Sequence, residues 1–317
     1  ASRAGEGGTA GTGRGGRGGP GAETSPGCGS LLRVRPHDLK TSFHRLCVTH
    51  LGADTGPRVA ALARTGFHLD PVGDPADATG RFRFGGRALL DPGTPWPESE
   101  GRPMPLLAVV DTDALAPWLD LELPPGSGLL NVFYIGAEDD VADDIRAGEQ
   151  ARFESPVDWR VVPADSATAA DTAPPAGGVV LPERPVRAAP MLALPDTSRV
   201  FGPPVADGPG DAEVWDAFER VWERLPDLAD GDRALPPFAN LPADLDEDTD
   251  ESGHRAFGWP WPMQGGPMPD TGRIHLLQLD TDPAWTWADC GMVTFDIPAP
   301  ALRAGDFTQV DCYLASC

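Results

Sequence analysis

The sequence is nearly without lysine: Lys40 stands alone, so 24 of the 25 basic residues are arginine. Against 48 carboxylates this leaves a net charge of -23. A chain so short of positive charge lacks the clustered Lys and Arg that follow a phosphate backbone, which argues against a nucleic-acid binder. With so much Ala, Gly and Pro around them, the arginines fit the codon usage of a GC-rich genome and carry no phosphate-clamp argument. Cysteine is scarce as well. Cys28, Cys47, Cys290, Cys312 and Cys317 are an odd number with no C-x-x-C pair, which excludes a disulfide framework and a zinc ribbon and makes a reducing cytoplasm the default location. No run of about 18 apolar residues is present for a membrane span, and no apolar stretch of the kind a secretory signal needs. Also missing are a glycine-rich phosphate loop, a dinucleotide fingerprint and a Ser-His-Asp order; Gly126-Ser127-Gly128 lacks the spacing of a nucleophile elbow. No cofactor is implied. His37, His44, His50 and His68 never fall four apart as a zinc-binding helix pair requires, and are expected as scattered surface residues with no metal between them.

What is present divides the chain into four stretches. Residues 1–30 hold twelve glycines and no apolar run, too little to offset the entropy of ordering, so a disordered Gly-rich tail is expected. Its two RGG units, Arg14-Gly15-Gly16 and Arg17-Gly18-Gly19, are too short to turn a flexible tail into an RNA-binding segment. Residues 31–161 form a first β-rich half, opening with a short helix over Pro57 to Arg64, closed by Gly66, and a strand around Phe67 to Leu69. Residues 162–190 are rich in Pro and Ala without an aromatic residue, and are expected as an exposed connection. Residues 191–317 form a second β-rich half. In it Val214, Trp215, Phe218, Val221, Trp222 and Leu225 make one apolar helical stripe, with Asp211 as cap and Pro226 as stop, best read as a core face. The carboxylate run Asp244 to Glu251 invites a calcium loop. Counting from Asp248 puts Gly253 sixth, as an EF-hand needs, but Trp259 twelfth, where the cage requires a bidentate Glu. A solvated acidic loop remains, able to attract a basic protein in a salt-dependent way.

The densest stretch lies at the C-terminal end. Ile274 to Asp280 carries apolar residues on both parities, the pattern of a central strand covered on both sides. Asp282-Pro283 breaks it, and Trp285 to Gly291 makes a turn. Met292 to Ile297 alternates like a half-buried strand with Val293, Phe295 and Ile297 inward, and Phe307 to Leu314 alternates again with Val310, Cys312 and Leu314 inward. A fainter copy occurs earlier: Phe84-Gly85, a Pro/Trp-rich loop, Leu107 to Asp113, then Gly128 to Phe133 match Phe257-Gly258, Trp259 to Pro262, Leu276 to Asp282, then Gly291 to Phe295. Both copies carry an Asp-Thr-Asp triplet. The fold expected is α+β, mainly antiparallel β-sheet, in two similar halves from an internal duplication, with a few helices.

Phe84 to Leu90 with Trp96-Pro97, then Leu106 to Asp111 and Gly128 to Tyr134, resemble the first half of the YwqG-like family of uncharacterised bacterial proteins. His254, Phe257-Gly258, Gln264, Leu276 to Asp280, Trp287 to Gly291 and Gly305-Asp306-Phe307 resemble its second half, over roughly residues 60 to 317. The resemblance implies a fold of two related β-rich halves and brings no activity with it.

One constellation can carry chemistry: His254, Gln264, Gln278, Asp280, Trp287 and Asp289. Gln278 and Asp280 share one face of a strand while His275 takes the other, and a turn after Asp282 can bring Trp287, Asp289 and His254 to that face. An imidazole near two carboxylates serves acid/base work or metal binding. The same residues serve equally to satisfy backbone groups of Gly- and Pro-rich turns, the commoner use of buried polar side chains. Two functions stand open. The first is a cytoplasmic protein-binding module for a basic partner, toxin neutralisation being one form of it. The alternative is a hydrolase or metal-assisted enzyme using His254 with Asp280 or Asp289.

Overall fold

Strand formation follows the apolar pattern, and most of the strands join one sheet. The computed structural model describes residues 36–135, 158–193, 238–239, 253–261, 272–287 and 291–315. The 1–30 tail, the Asp211 to Leu225 stripe, the Asp244 to Glu251 run, Gln264 and Asp289 lie outside these residues. The described strands are β1 (Arg64–Pro71), β2 (Arg83–Phe84), β3 (Ala88–Leu90), β4 (Glu98–Ser99), β5 (Arg102–Pro103), β6 (Leu106–Asp111), β7 (Leu129–Tyr134), β8 (Trp159–Ala164), β9 (Ala170–Thr172), β10 (Arg184–Ala193), β11 (Phe238–Ala239), β12 (Arg255–Phe257), β13 (Arg273–Asp280), β14 (Met292–Pro298) and β15 (Asp311–Ala315). The main sheet runs β15-β14-β13-β12-β1-β10-β2-β6-β7-β8, every neighbour on that path antiparallel, with β11 beside β10 in parallel. Read from either end, the order is the same: a three-stranded meander, a two- or three-residue strand, then a long strand.

The sheet curls on itself. Trp159, at the start of one edge strand, donates its indole N–H to Val310 O at 2.7 Å, just before the other edge strand. Tyr134 on β7 meets Trp287 and Phe295 edge-on, with ring centroids 5.6 and 6.4 Å away. The result is a nearly closed antiparallel barrel with few helices. Its core joins Phe67, Phe84, Val110, Val132, Leu277 and Phe295, drawn from strands on both sides of β1 and β10. Residues from Val34 onward form one compact unit.

Several expectations change in detail. A helix occupies Pro36–Ala60, broken at Gly52 (φ 81, ψ 176), where a short helix over Pro57 to Arg64 was expected. It ends before Arg64, and Gly66 lies inside β1, not past a helix end. There a Cβ would stand 3.0 Å from Phe257 O and 3.2 Å from the Gly258 Cα, so the close approach of β12 is what demands glycine. Within 162–190 the structure places the end of β8, all of β9 and the start of β10; the exposed stretch is shorter, centred on Gly177 to Val180. β14 does alternate, but its outer face is covered too: Met292, Thr294 and Asp296 are all buried. Residues Phe307–Gln309 form a 3-10 turn capped by Asp306, so the last strand begins at Asp311.

The registers of the two meanders correspond. Asp111 pairs with Leu129 and Asp280 with Met292, and each pairing shifts at a bulge, between Leu106 and Ala108 and between His275 and Leu277. β2 places Phe84 opposite Ala108, and β12 places Ala256 opposite Leu277. The corresponding residues are therefore Arg83-Phe84-Gly85-Gly86 and Arg255-Ala256-Phe257-Gly258, one position off the Phe-Gly match in the sequence. Both end in two left-handed residues: Gly85 (φ 60) and Gly86 (φ 76), Phe257 (φ 55) and Gly258 (φ 67). A phenylalanine there costs about 1 kcal/mol or more; its ring, 1 % exposed and edge-on to Phe67 at 6.4 Å, supplies the offset. Phe67 opposes Ala256 as Arg184 opposes Phe84. Three residues further along each strand, Asp70 and Arg187 face one another, Arg187 Nη2 donating to Asp70 Oδ2 at 3.2 Å.

A candidate functional site at the barrel seam

Of the expected constellation, His254 bonds a carboxylate that was read only as a strand breaker. Asp282 follows β13 by two residues, His254 precedes β12 by one, and Arg184 opens β10. Asp282 Oδ2 accepts from Arg184 Nη1 at 2.5 Å and from His254 Nε2 at 3.0 Å, while its Oδ1 accepts from the Ala284 N–H at 2.7 Å. The last bond is the Asx turn that an Asp-Pro step favours. The Asp280 N–H donates to His254 Nδ1 at 3.0 Å. One imidazole nitrogen therefore accepts and the other donates, which assigns the neutral tautomer with its proton on Nε2. The side chains of His254 and Asp282 are 9 % and 11 % exposed, that of Arg184 21 %.

Aromatic rings close the site. The Arg184 guanidinium lies 4.5 Å from the Trp285 ring centroid and 5.4 Å from that of Phe84, an arrangement in which cation–π attraction holds a partly desolvated charge. Phe84 and Trp285 meet the His254 ring edge-on at 4.9 and 6.0 Å. Burial alone would push the Asp282 carboxyl up, but the hydrogen bonds from His254, Arg184 and the Ala284 N–H outweigh it and hold the group at about 2.

The other expected residues serve the same seam. Gln278, fully buried, accepts from the Trp261 N–H at 2.7 Å and donates to Gly253 O at 3.0 Å, gripping the chain on both sides of β12. Asp280 Oδ1 accepts from the Thr281 N–H at 2.7 Å, and Asp280 O receives the indole N–H of both Trp285 (2.8 Å) and Trp287 (3.2 Å). His254, Gln278, Asp280 and Trp287 are thus brought together, with hydrogen bonds to the backbone of Gly253, Trp261, Asp280 and Thr281 among their contacts. His275, expected on the opposite face, pairs instead with Asp296 (Nδ1–Oδ1 3.3 Å), both fully buried. Among the described residues no three His, Cys, Asp or Glu side chains stand close enough together to hold a metal ion. Sequence reasoning missed Arg184, which it assigned to an exposed connection, as well as Asp282 and Trp285. Only the pairing of β10 with β2 brings Arg184 to this place. For Asp282 the Asp-Thr-Asp triplet shared by both copies was the available signal.

Fold and site define a class: an acidic, mainly antiparallel, nearly closed β-barrel whose seam is clasped by a part-buried His–Asp–Arg triad. The chain belongs to the family described as Domain of unknown function (DUF1963), which matches residues 82–317. The match begins just before β2, so β1, although central in the sheet, precedes it. No curated protein matches the chain. Among the described residues no helix is long and apolar enough to cross a membrane.

Proposed function

We propose that the chain is a cytoplasmic binding module for a basic protein, a toxin being one such partner. The observation that carries this is its net charge of -23, which speeds encounter with positively charged surfaces and repels nucleic acid and acidic proteins. The seam agrees with it. His254 uses one ring nitrogen to accept and the other to donate, so a catalytic base would first have to surrender a hydrogen bond that holds the fold. The hydrolase reading, which pairs His254 with Asp280 or Asp289, is the weaker for that.

The same proposal includes two statements about origin. The mirrored strand order, the two equivalent bulges and the paired left-handed residues after β2 and β12 support descent of the two halves from one ancestral unit. The Phe84 to Leu90 and Trp287 to Gly291 stretches support a place among the bacterial YwqG-like proteins.

The test is affinity capture from a bacterial lysate at low and at moderate salt, with wild-type chain and with a variant carrying Asn and Gln for the acidic residues of Asp244 to Glu251. Retention of one basic protein, released by salt and lost in the variant, supports the module. Retention of nothing at low salt sinks it and sends attention back to small ligands.

A further inference from the structure

Each half of this chain gives away a strand. The first half, β1 through β9, places β1 against β12 of the second half; the second half, β10 through β15, places β10 against β2 of the first. The exchange is reciprocal, and β1 and β10 then pair with one another over eight residues. Among the described residues neither half completes its own sheet. This is the bonding pattern of a strand-swapped dimer whose two subunits have been joined by a hinge, here the stretch between Thr172 and Arg184.

The clasp serves that exchange. Arg184 leaves with β10 to pair with Phe84, yet its guanidinium returns to Asp282 of its own half. The hinge itself carries the two large hydrophobic residues that are exposed among those described, Val179 (39 %) and Val180 (55 %). In a dimer made by exchange two hinges would run past each other and cover them.

We propose that the chain can exchange halves with a second copy of itself: during folding, the first half of one copy completes its sheet with the second half of another, giving a closed dimer with every strand pairing preserved. The inference rests on strand connectivity and stands apart from the proposed binding to a basic protein. Inside one chain the halves meet at an effective concentration of about millimolar, as short flexible tethers give. Exchange therefore competes only when chain concentration approaches that value, or when the hinge is too short to let the halves of one copy meet.

The experiment is refolding of the full chain from denaturant, at about 1 and about 100 μM, followed by size exclusion in native buffer; dimer is expected at under one part in a hundred and at roughly one in ten. Donor- and acceptor-labelled chains give energy transfer when refolded together and none when mixed after folding. Dimers that fall apart on dilution, or transfer that appears after simple mixing, overturn the proposal, because surface association and not exchange would then be the cause. No rise of dimer with refolding concentration rejects the exchange as well.

Discussion

Replacing Asp282 with Ala removes the acceptor that Arg184 and His254 share. Its side chain is 11 % exposed and that of Arg184 21 %, so a guanidinium flanked by Trp285 and Phe84 is left without its counter-charge in a site only partly open to water. Breaking a buried pair in this way costs about 3–5 kcal/mol. A second, pH-dependent part follows from the carboxyl, lowered from 3.8 to about 2. A depressed carboxyl contributes stability that is fully present above its unfolded value and is lost as pH falls through its folded value, here between about pH 5 and pH 2. The difference of nearly two units is worth about 2 kcal/mol, of which about 1 kcal/mol is gone by pH 3. Urea unfolding followed by tryptophan emission, at pH 7 and at pH 3, reads both parts. Asp282→Ala is expected to lower the unfolding free energy by about 3–5 kcal/mol at pH 7 and to lose about 1 kcal/mol less than wild type on acidification. A variant within about 1 kcal/mol of wild type at pH 7, with the wild-type acid slope, would refute the clasp.

Gly258 has φ 67, and a Cβ there would stand 3.0 Å from the Gly66 Cα; Gly258→Ala is expected to cost about 2 kcal/mol or more, read as a lowered Tm. Trp159→Phe removes the bond to Val310 O that links the sheet edges; it is expected to cost about 1 kcal/mol and to speed amide exchange in β15 more than in β1. Burial pushes the Cys47 thiol up to about 12, so a thiol reagent at pH 8 is expected to modify it only at the rate of unfolding, and fast labelling in native buffer would contradict its placement.

Much of the sheet was legible because burial on two faces leaves a plain mark. Leu107 to Asp111 and Leu276 to Asp280 carry apolar residues on both parities, and both are central strands. Met292 to Ile297 was readable on one face alone. Its other face, with Thr294 and Asp296, looks solvent-exposed in the sequence, and only tertiary packing buries it. The Pro36–Ala60 helix was hard to see because Gly52 and Pro57 interrupt it. At the site, His254, Gln278, Asp280 and Trp287 were found because polar residues crowd a Trp-rich turn. Arg184 was not, since its stretch is dominated by Pro, Gly and Val and nothing local says where a donated strand will dock. The Phe-Gly repeat misled by one position: the backbone repeats its two left-handed residues, and one copy fills the first of them with Phe257.

The pair Asp70–Arg187 sets a rule about assembly. The two residues occupy the same station in the two halves and face each other where the halves meet. In an assembly of two identical halves that station would oppose like with like, Asp70 to Asp70 or Arg187 to Arg187, and repulsion would penalise both. Attraction is available only to unlike halves. A single acid–base pair at the point of near-symmetry thus leans toward joining a first half to a second half, from the same copy or another, by the small amount that an exposed pair contributes.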